Sequence, residues 1–204
     1  SQGKLGPAYK SPDFGIADKS MVKALGVDAE KLFKEKGDLG LVAQELKSKR
    51  AGEQESISVK KVYEKLWDIA TIFGTGSQDK KQQLIINLLD EVDPVSAKYV
   101  VKMILGKLRT GFSDMTMLDS ISWMLVESKK LKSQIEEMYN VRADLGEIVM
   151  QIKQFKQPRQ LEPEIGTPIL MAKGERAVTA SEIWERLDKC AVEYKLDGLR
   201  IQAH

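Results

Sequence analysis

GTGSQDKKQQLIINLLDEVDPVSAKYVVKMILGKLRTGFS, residues 74–113, reads as two helices with their stops written in. Ser77 opens the first, and Leu84, Ile85, Leu88 and Leu89 recur at the spacing that puts them on one buried side. Asp93 then caps a second helix, with Pro94 at the first helical position, where its missing N–H costs nothing. Gly106 closes that helix. The period is helical throughout, so the fold class is mainly α.

The same grammar extends in both directions. Residues 1–17 are rich in Gly, Pro and Ser and read as a loose lead-in. Asp28 can cap a short helix that stops at Gly37, and Asp38 another from Leu39 to about Lys49. Residues 50–57 carry no period and read as a loop. Ser58 precedes the apolar stripe Val59, Val62, Leu66, Ile69, Ala70 and Phe73, and Gly74 ends it. Downstream, Ser113 or Thr116 opens a stretch to about Lys130, Ser133 another, and a last helix runs from about Asp144 to Phe155. GDLGLVAQEL (37–46) and ADLGEIVMQI (143–152) echo each other, which raises a duplicated helical half and an internal pseudo-two-fold.

From Gln157 the texture changes. Three of the six prolines fall at 158, 163 and 168, so 157–167 reads as a linker before a short extended piece at Pro168–Ala172. Ser181 can cap a short helix carrying Ile183, Trp184 and Leu187. Residues 192–197 then alternate, with Val192, Tyr194 and Leu196 on one strand face and Glu193, Lys195 and Asp197 on the other. Asp197-Gly198 suits a surface hairpin equally well. The boundary falls near residue 160: a helical domain over 1–160, then a short α/β beginning of a second domain over 161–204.

Composition narrows the chemistry. A hydrophobic fraction of 42% supports a core, and a net charge of +2 means that an anionic partner must meet a local basic surface. Cys190 is the one cysteine and His204 the one histidine, which excludes an internal disulfide and argues against a Ser-His-Asp triad or a zinc site. Cys190 itself reads as a small hydrophobe. No apolar run is long enough to span a bilayer, and SQGKLGPAYK lacks the features of a secretion signal, so an intracellular setting is expected.

Two helix–helix corners look alike. GTGSQDKK (74–81) offers Gly74, Gly76 and Ser77 followed by Lys80 and Lys81. GKLRTGFS (106–113) offers Gly106 and Gly111 around Lys107 and Arg109. Glycine lets backbone approach a ligand, a helix N-terminus presents free N–H groups, and added cations make the corner a seat for phosphate. Glycines also end helices without binding anything, and one corner alone would carry little weight. Two fit the backbone of a duplex. Neither has the Gly-Lys-Ser/Thr order of a nucleotide P-loop. Tyr63, Trp67, Phe73 and Trp123 sit on apolar stripes and are expected in the core with Met103, Met115, Met117 and Met124, which argues against a single-strand binder built on exposed rings.

At the far end stands EYKLDGLR (193–200). A lysine amine attacks only when deprotonated, so a site that uses one must desolvate it or surround it with positive charge. Lys195 between Glu193 and Asp197, with Arg200 beyond the glycine, could hold a nucleotide, though by residue type alone the signal is weak. The stretch resembles motif I of the covalent nucleotidyltransferases, Lys-x-Asp-Gly followed by Arg, which is common to DNA ligases, RNA ligases and capping enzymes. GDLGLVAQEL, IFGTGSQDKKQQLIINLL and VVKMILGKLRTGFSDMTMLDSI choose among them. They are similar to the N-terminal DNA-binding domain of ATP-dependent DNA ligases of the archaeal and eukaryotic kind, over roughly residues 30–204.

That resemblance implies an enzyme that seals nicks in double-stranded DNA with ATP and magnesium. Lys195 would attack the α-phosphate and carry AMP, Glu193 would accept a hydrogen bond from the adenine amino group, and Arg200 would lie near ribose and phosphate. Gly74, Gly76, Ser77, Lys80, Lys81, Gly106, Lys107, Arg109 and Gly111 would meet DNA. No metal ligand is expected among these residues. Leu196 stands where family members often carry an aromatic, and GTPILMA replaces the usual Pro-Met-Leu-Ala stretch. The remaining nucleotide-binding motifs would follow His204, so the chain alone is expected to bind DNA without ligating it. A monomer is expected, with a sliding clamp left open as a partner. The location would be the cytoplasm of an archaeon or the nucleus of a eukaryote. A helical scaffold ending in a hairpin, or an RNA ligase or capping-type enzyme, are the alternatives.

Overall fold

Asp38, Ser58, Asp93, Ser113, Asp144 and Thr179 each turn a side-chain oxygen onto an amide of the helix that follows. These caps satisfy N–H groups that have no partner inside a helix, and so fix where each one begins. The computed structural model describes residues 3–50, 57–108, 110–171, 175–187, 189–194, 196–199, 201 and 203. Among them are ten helices: α1 (Asp18–Leu25), α2 (Ala29–Lys36), α3 (Leu39–Lys49), α4 (Val59–Thr71), α5 (Ser77–Glu91), α6 (Pro94–Ile104), α7 (Asp114–Val126), α8 (Lys132–Val141), α9 (Leu145–Phe155) and α10 (Ala180–Arg186). The molecule is mainly helical, as the periodicity predicts.

Apolar side chains gather in two clusters. One joins α1 to α6 around Met21, Val42, Leu66, Ile69, Ile85, Leu88 and Val101. The other joins α7, α8 and α9 around Leu118, Ile135, Met138, Ile148 and Ile152. In the first, α3 lies against α6, and Lys102 on α6 reaches the cap residue of α3, Asp38, at 2.7 Å.

Several expectations need correction. The lead-in is not loose: Leu5 and Phe14 are buried in the first cluster, the Leu5 amide donates to Ser11 Oγ, and α1 follows directly. Polar composition hid two anchoring apolar residues. The linker 157–167 is strapped to α8. Arg142 Nε donates to the Glu162 carbonyl, the Arg142 guanidinium pairs with Glu164, and beyond the linker the Leu170 amide donates to the Asn140 carbonyl. Ser133 lies inside α8, and Thr179 rather than Ser181 caps α10. Beyond α10, the described residues of 187–203 form no strand, and Val192, Tyr194 and Leu196 are all exposed. A strand draws its hydrogen bonds from a neighbour, and none of the described residues supplies one there. Cys190 is exposed, not a buried hydrophobe. The expected loop at 50–57 lies outside the described residues except for its two ends.

Candidate nucleic-acid interface

The first corner is built by the end of α4 and the start of α5. Gly74 and Gly76 both hold positive φ, at 94° and 75°, where a Cβ would be strained. Gly76 is the N-cap of α5, and Ser77, expected as the cap, is the first helical residue. The first turn of α5 receives no side-chain cap hydrogen bond, although the Ser77 amide donates to the Gly74 carbonyl. This leaves an open helix N-terminus with Lys80 exposed on its first turns, and with Asp79 beside it as an opposing charge.

Lys81 behaves differently from its neighbour. Successive helical residues are rotated by about 100°, so a pair of lysines cannot share a direction. Lys81 is 4% exposed, its Nζ donates to the Phe14 carbonyl at 2.7 Å, and it lies 5.7 Å from the centre of the Phe73 ring. The expectation that it faces a phosphate is corrected: its ammonium is spent inside the protein, where a buried charge requires a partner.

The second corner follows α6. Gly106, at φ 64°, donates to the Met103 carbonyl, and the Lys107 amide donates to the Lys102 carbonyl. This pair of bonds is the Schellman closure, which needs a left-handed residue at that place. Lys107 then reaches both carboxylate oxygens of Asp18 at 2.7 Å, so its charge is shared with α1. Arg109 lies outside the described residues. Gly111 holds φ 74°, and Ser113 caps α7 by accepting from the Thr116 amide. The two corners thus differ: the first ends on an uncapped helix, the second on a capped one.

Rings flank both corners. Phe73 is 79% exposed beside Gly74 and Phe112 is 58% exposed beside Gly111. Tyr63, Trp67 and Trp123, expected in the core, are also exposed, as are Met115 and Met124, while Met103 and Met117 are half-buried. The burial argument against exposed rings therefore fails.

In the stretch expected to hold a nucleotide, Glu193 is exposed, while Lys195 and Arg200 lie outside the described residues. Among the described residues no three of His, Cys, Asp and Glu gather as a metal site would require. No described helix is long and apolar enough to cross a membrane. The sequence reading missed Asp18, Gln78 and Phe14, which hold the corners from behind. For Phe14 the one signal was an apolar residue inside a Gly- and Pro-rich lead-in; Asp18 and Gln78 act through partners far away in sequence.

Comparison with known proteins bears directly on these corners. Residues 4–122 match the family model described as the DNA ligase N terminus, a span that includes both. DNA ligase 2 of Thermofilum pendens is 35% identical over all of this chain and 37% of its own length. DNA ligase of Aeropyrum pernix is 36% identical over all of the chain and 38% of its length. A probable DNA ligase of Dictyoglomus thermophilum is 35% identical over 99% of the chain and 36% of its length. The chain spans little more than a third of these relatives. Since the family model covers more than half of its residues, the chain belongs to the family defined by the DNA ligase N terminus.

Proposed function

We propose that the chain is the DNA-binding portion, with the beginning of the adenylation domain, of an ATP-dependent DNA ligase that seals nicks in duplex DNA. The observation that carries this is the pair of glycine-rich corners, each with positive-φ glycines and a lysine, inside the matched family span. Open amides and an exposed Lys80 at the first suit phosphate oxygens, and the turn at the second sets Lys107 directly after a positive-φ glycine that allows close approach. Such contacts carry no base information, so binding would be independent of sequence.

On this reading residues 1–160 form the DNA-binding domain, with halves related by an internal two-fold, and 161–204 begin an α/β adenylation domain. The Asp-Leu-Gly starts of α3 and α9 support the duplicated halves. Lys195 would attack the α-phosphate of ATP, forming a P–N bond as the bond to pyrophosphate breaks and the amine gives up a proton. Glu193 would orient adenine and Arg200 the ribose and phosphate. Magnesium would offset phosphate charge in that step, but the described residues build no cage for it by themselves. The protein would act as a monomer inside the cell, with a sliding clamp as a further partner to test.

The experiment has two arms. Labelled duplexes of unrelated sequence should bind with similar affinity that weakens steeply with salt. A protein extended through its remaining motifs should form a covalent AMP adduct that Lys195→Ala abolishes. Sequence-selective or salt-insensitive binding would sink the first part, and an adduct that survives Lys195→Ala the second.

A further inference from the structure

Resting on that DNA-binding reading, we propose that residues 3–18 are a brace that holds the two corners at a fixed spacing, with Lys81 as its positioning residue. The segment is tied at both ends. On the side of the first corner, Lys81 Nζ donates to the Phe14 carbonyl at 2.7 Å and Gln78 Nε2 reaches the Gly15 carbonyl at 3.4 Å. On the side of the second, Lys107 holds Asp18 through both carboxylate oxygens, and Gly3 lies so close to Leu108 that a Cβ there would come within 2.9 Å of its Cδ1. In between, the amides of Lys10 and Ser11 both donate to the Pro7 carbonyl, and the Leu5 amide donates to Ser11 Oγ, which closes the segment on itself. Leu5 and Phe14 then sink into the same cluster as Val101 and Ile104 near the end of α6.

Four ties, two from α5 and two from the turn that follows α6, hold this one segment against both corners. The lysine is the informative one. Burying an ammonium is costly, and an apolar residue would fill the same space at no such cost. A lysine there fixes the Phe14 carbonyl of the lead-in against the start of the second turn of α5. A duplex that touches one corner meets the second as an intramolecular event, and the gain depends on the two being held at the right separation. The brace supplies that separation without touching DNA.

The test is Lys81→Met, which keeps the apolar stem and removes the ammonium, compared with Lys81→Arg, which keeps a donor. Binding of a labelled nicked duplex is measured across a salt series, with helical circular dichroism and the thermal midpoint recorded for each protein. A brace predicts that Lys81→Met weakens binding roughly tenfold at every salt concentration with an unchanged log–log slope, and that Lys81→Arg recovers part of the loss. A slope lowered by about 1 would make Lys81 a direct phosphate contact and overturn the proposal. So would a lowered midpoint with unchanged affinity, which marks a purely structural lysine. If Lys81→Met does not fold, Ser11→Ala, which opens the internal closure of the segment, must weaken binding in the same slope-preserving way; unchanged affinity there overturns the brace. A wild-type chain that binds no duplex removes the DNA-binding reading itself, and the brace with it.

Discussion

Lys80 and Lys81 are chemically identical neighbours in opposite settings, because a helix turns one outward and the other into the protein. Lys80 stands exposed at the open start of α5, where the helix dipole and free amides already favour an anion. Its removal should subtract one counterion-releasing contact. Lys80→Ala is therefore expected to lower the slope of log affinity against log salt by about 1, equally for duplexes of any sequence. Fluorescence anisotropy across a salt series reads this directly, and an unchanged slope would make Lys80 an ordinary solvated lysine. At the same scale, the cap residue Asp93 has its carboxylate held below the usual 3.8 by the Ser96 hydroxyl and amide, with the Val95 amide adding to them. A depressed folded pKa means that this contribution is present above 3.8 and is lost as pH falls through the lower folded value. Asp93→Asn, which still caps but does not titrate, should flatten the acid side of the stability profile in that window. Urea midpoints measured from neutral pH downward would show it, and identical acid limbs in the two proteins would contradict it.

Helix by helix, most caps and stops were legible because each depends on two or three adjacent residues, although Ser77, Ser133 and Ser181 lie inside their helices and Asp28 gives α2 no side-chain cap bond. Asp38, Ser58, Asp93, Ser113 and Asp144 all cap as their sequences suggest. What local reading could not supply was anything that depends on a distant partner. The seat of Lys81 is a carbonyl 67 residues away, and Lys107 answers to Asp18 across 89. Likewise, Asp-Leu-Gly recurs at α3 and α9, but its glycines do different work. A Cβ at Gly40 would lie 2.8 Å from Lys102 Cγ and Cε and from the Lys98 carbonyl, so α6 can approach α3 only because the side chain is absent. At Gly146 a Cβ would meet only the cap oxygen of Asp144, at 3.1 Å. Gly40→Ala must push two packed helices apart and is expected to cost about 2 kcal/mol. Gly146→Ala trades a better helix former against a slight displacement of the cap, and should stay within about 1 kcal/mol of neutral. Denaturant midpoints of the two variants compare them, and equal losses would show that α3 and α6 do not depend on that close approach.

Over the whole molecule, the core lies in two clusters, and the second glycine corner is the connection between them. The first corner joins α4 to α5 within one cluster, whereas Gly106 to Ser113 leads from α6, in the first, to α7, in the second. DNA seated on that corner would thus rest on the end of one packed unit and the start of the other. Two clusters with separate apolar contacts should also open separately, since local unfolding follows contiguous cooperative units. Ile148 is fully buried in the second cluster, and Ile85 is equally enclosed in the first. Truncating either removes about 2–5 kcal/mol of packing from its own unit. Ile148→Ala is therefore expected to speed amide exchange across α7, α8 and α9 while α3 and α6 keep their protection, and Ile85→Ala to do the reverse. Native-state hydrogen exchange followed by mass spectrometry separates these segments. Equal acceleration of α3 and α9 in both variants would mean a single cooperative unit, and the second corner would then be an internal turn rather than a joint on which bound DNA could link two bodies.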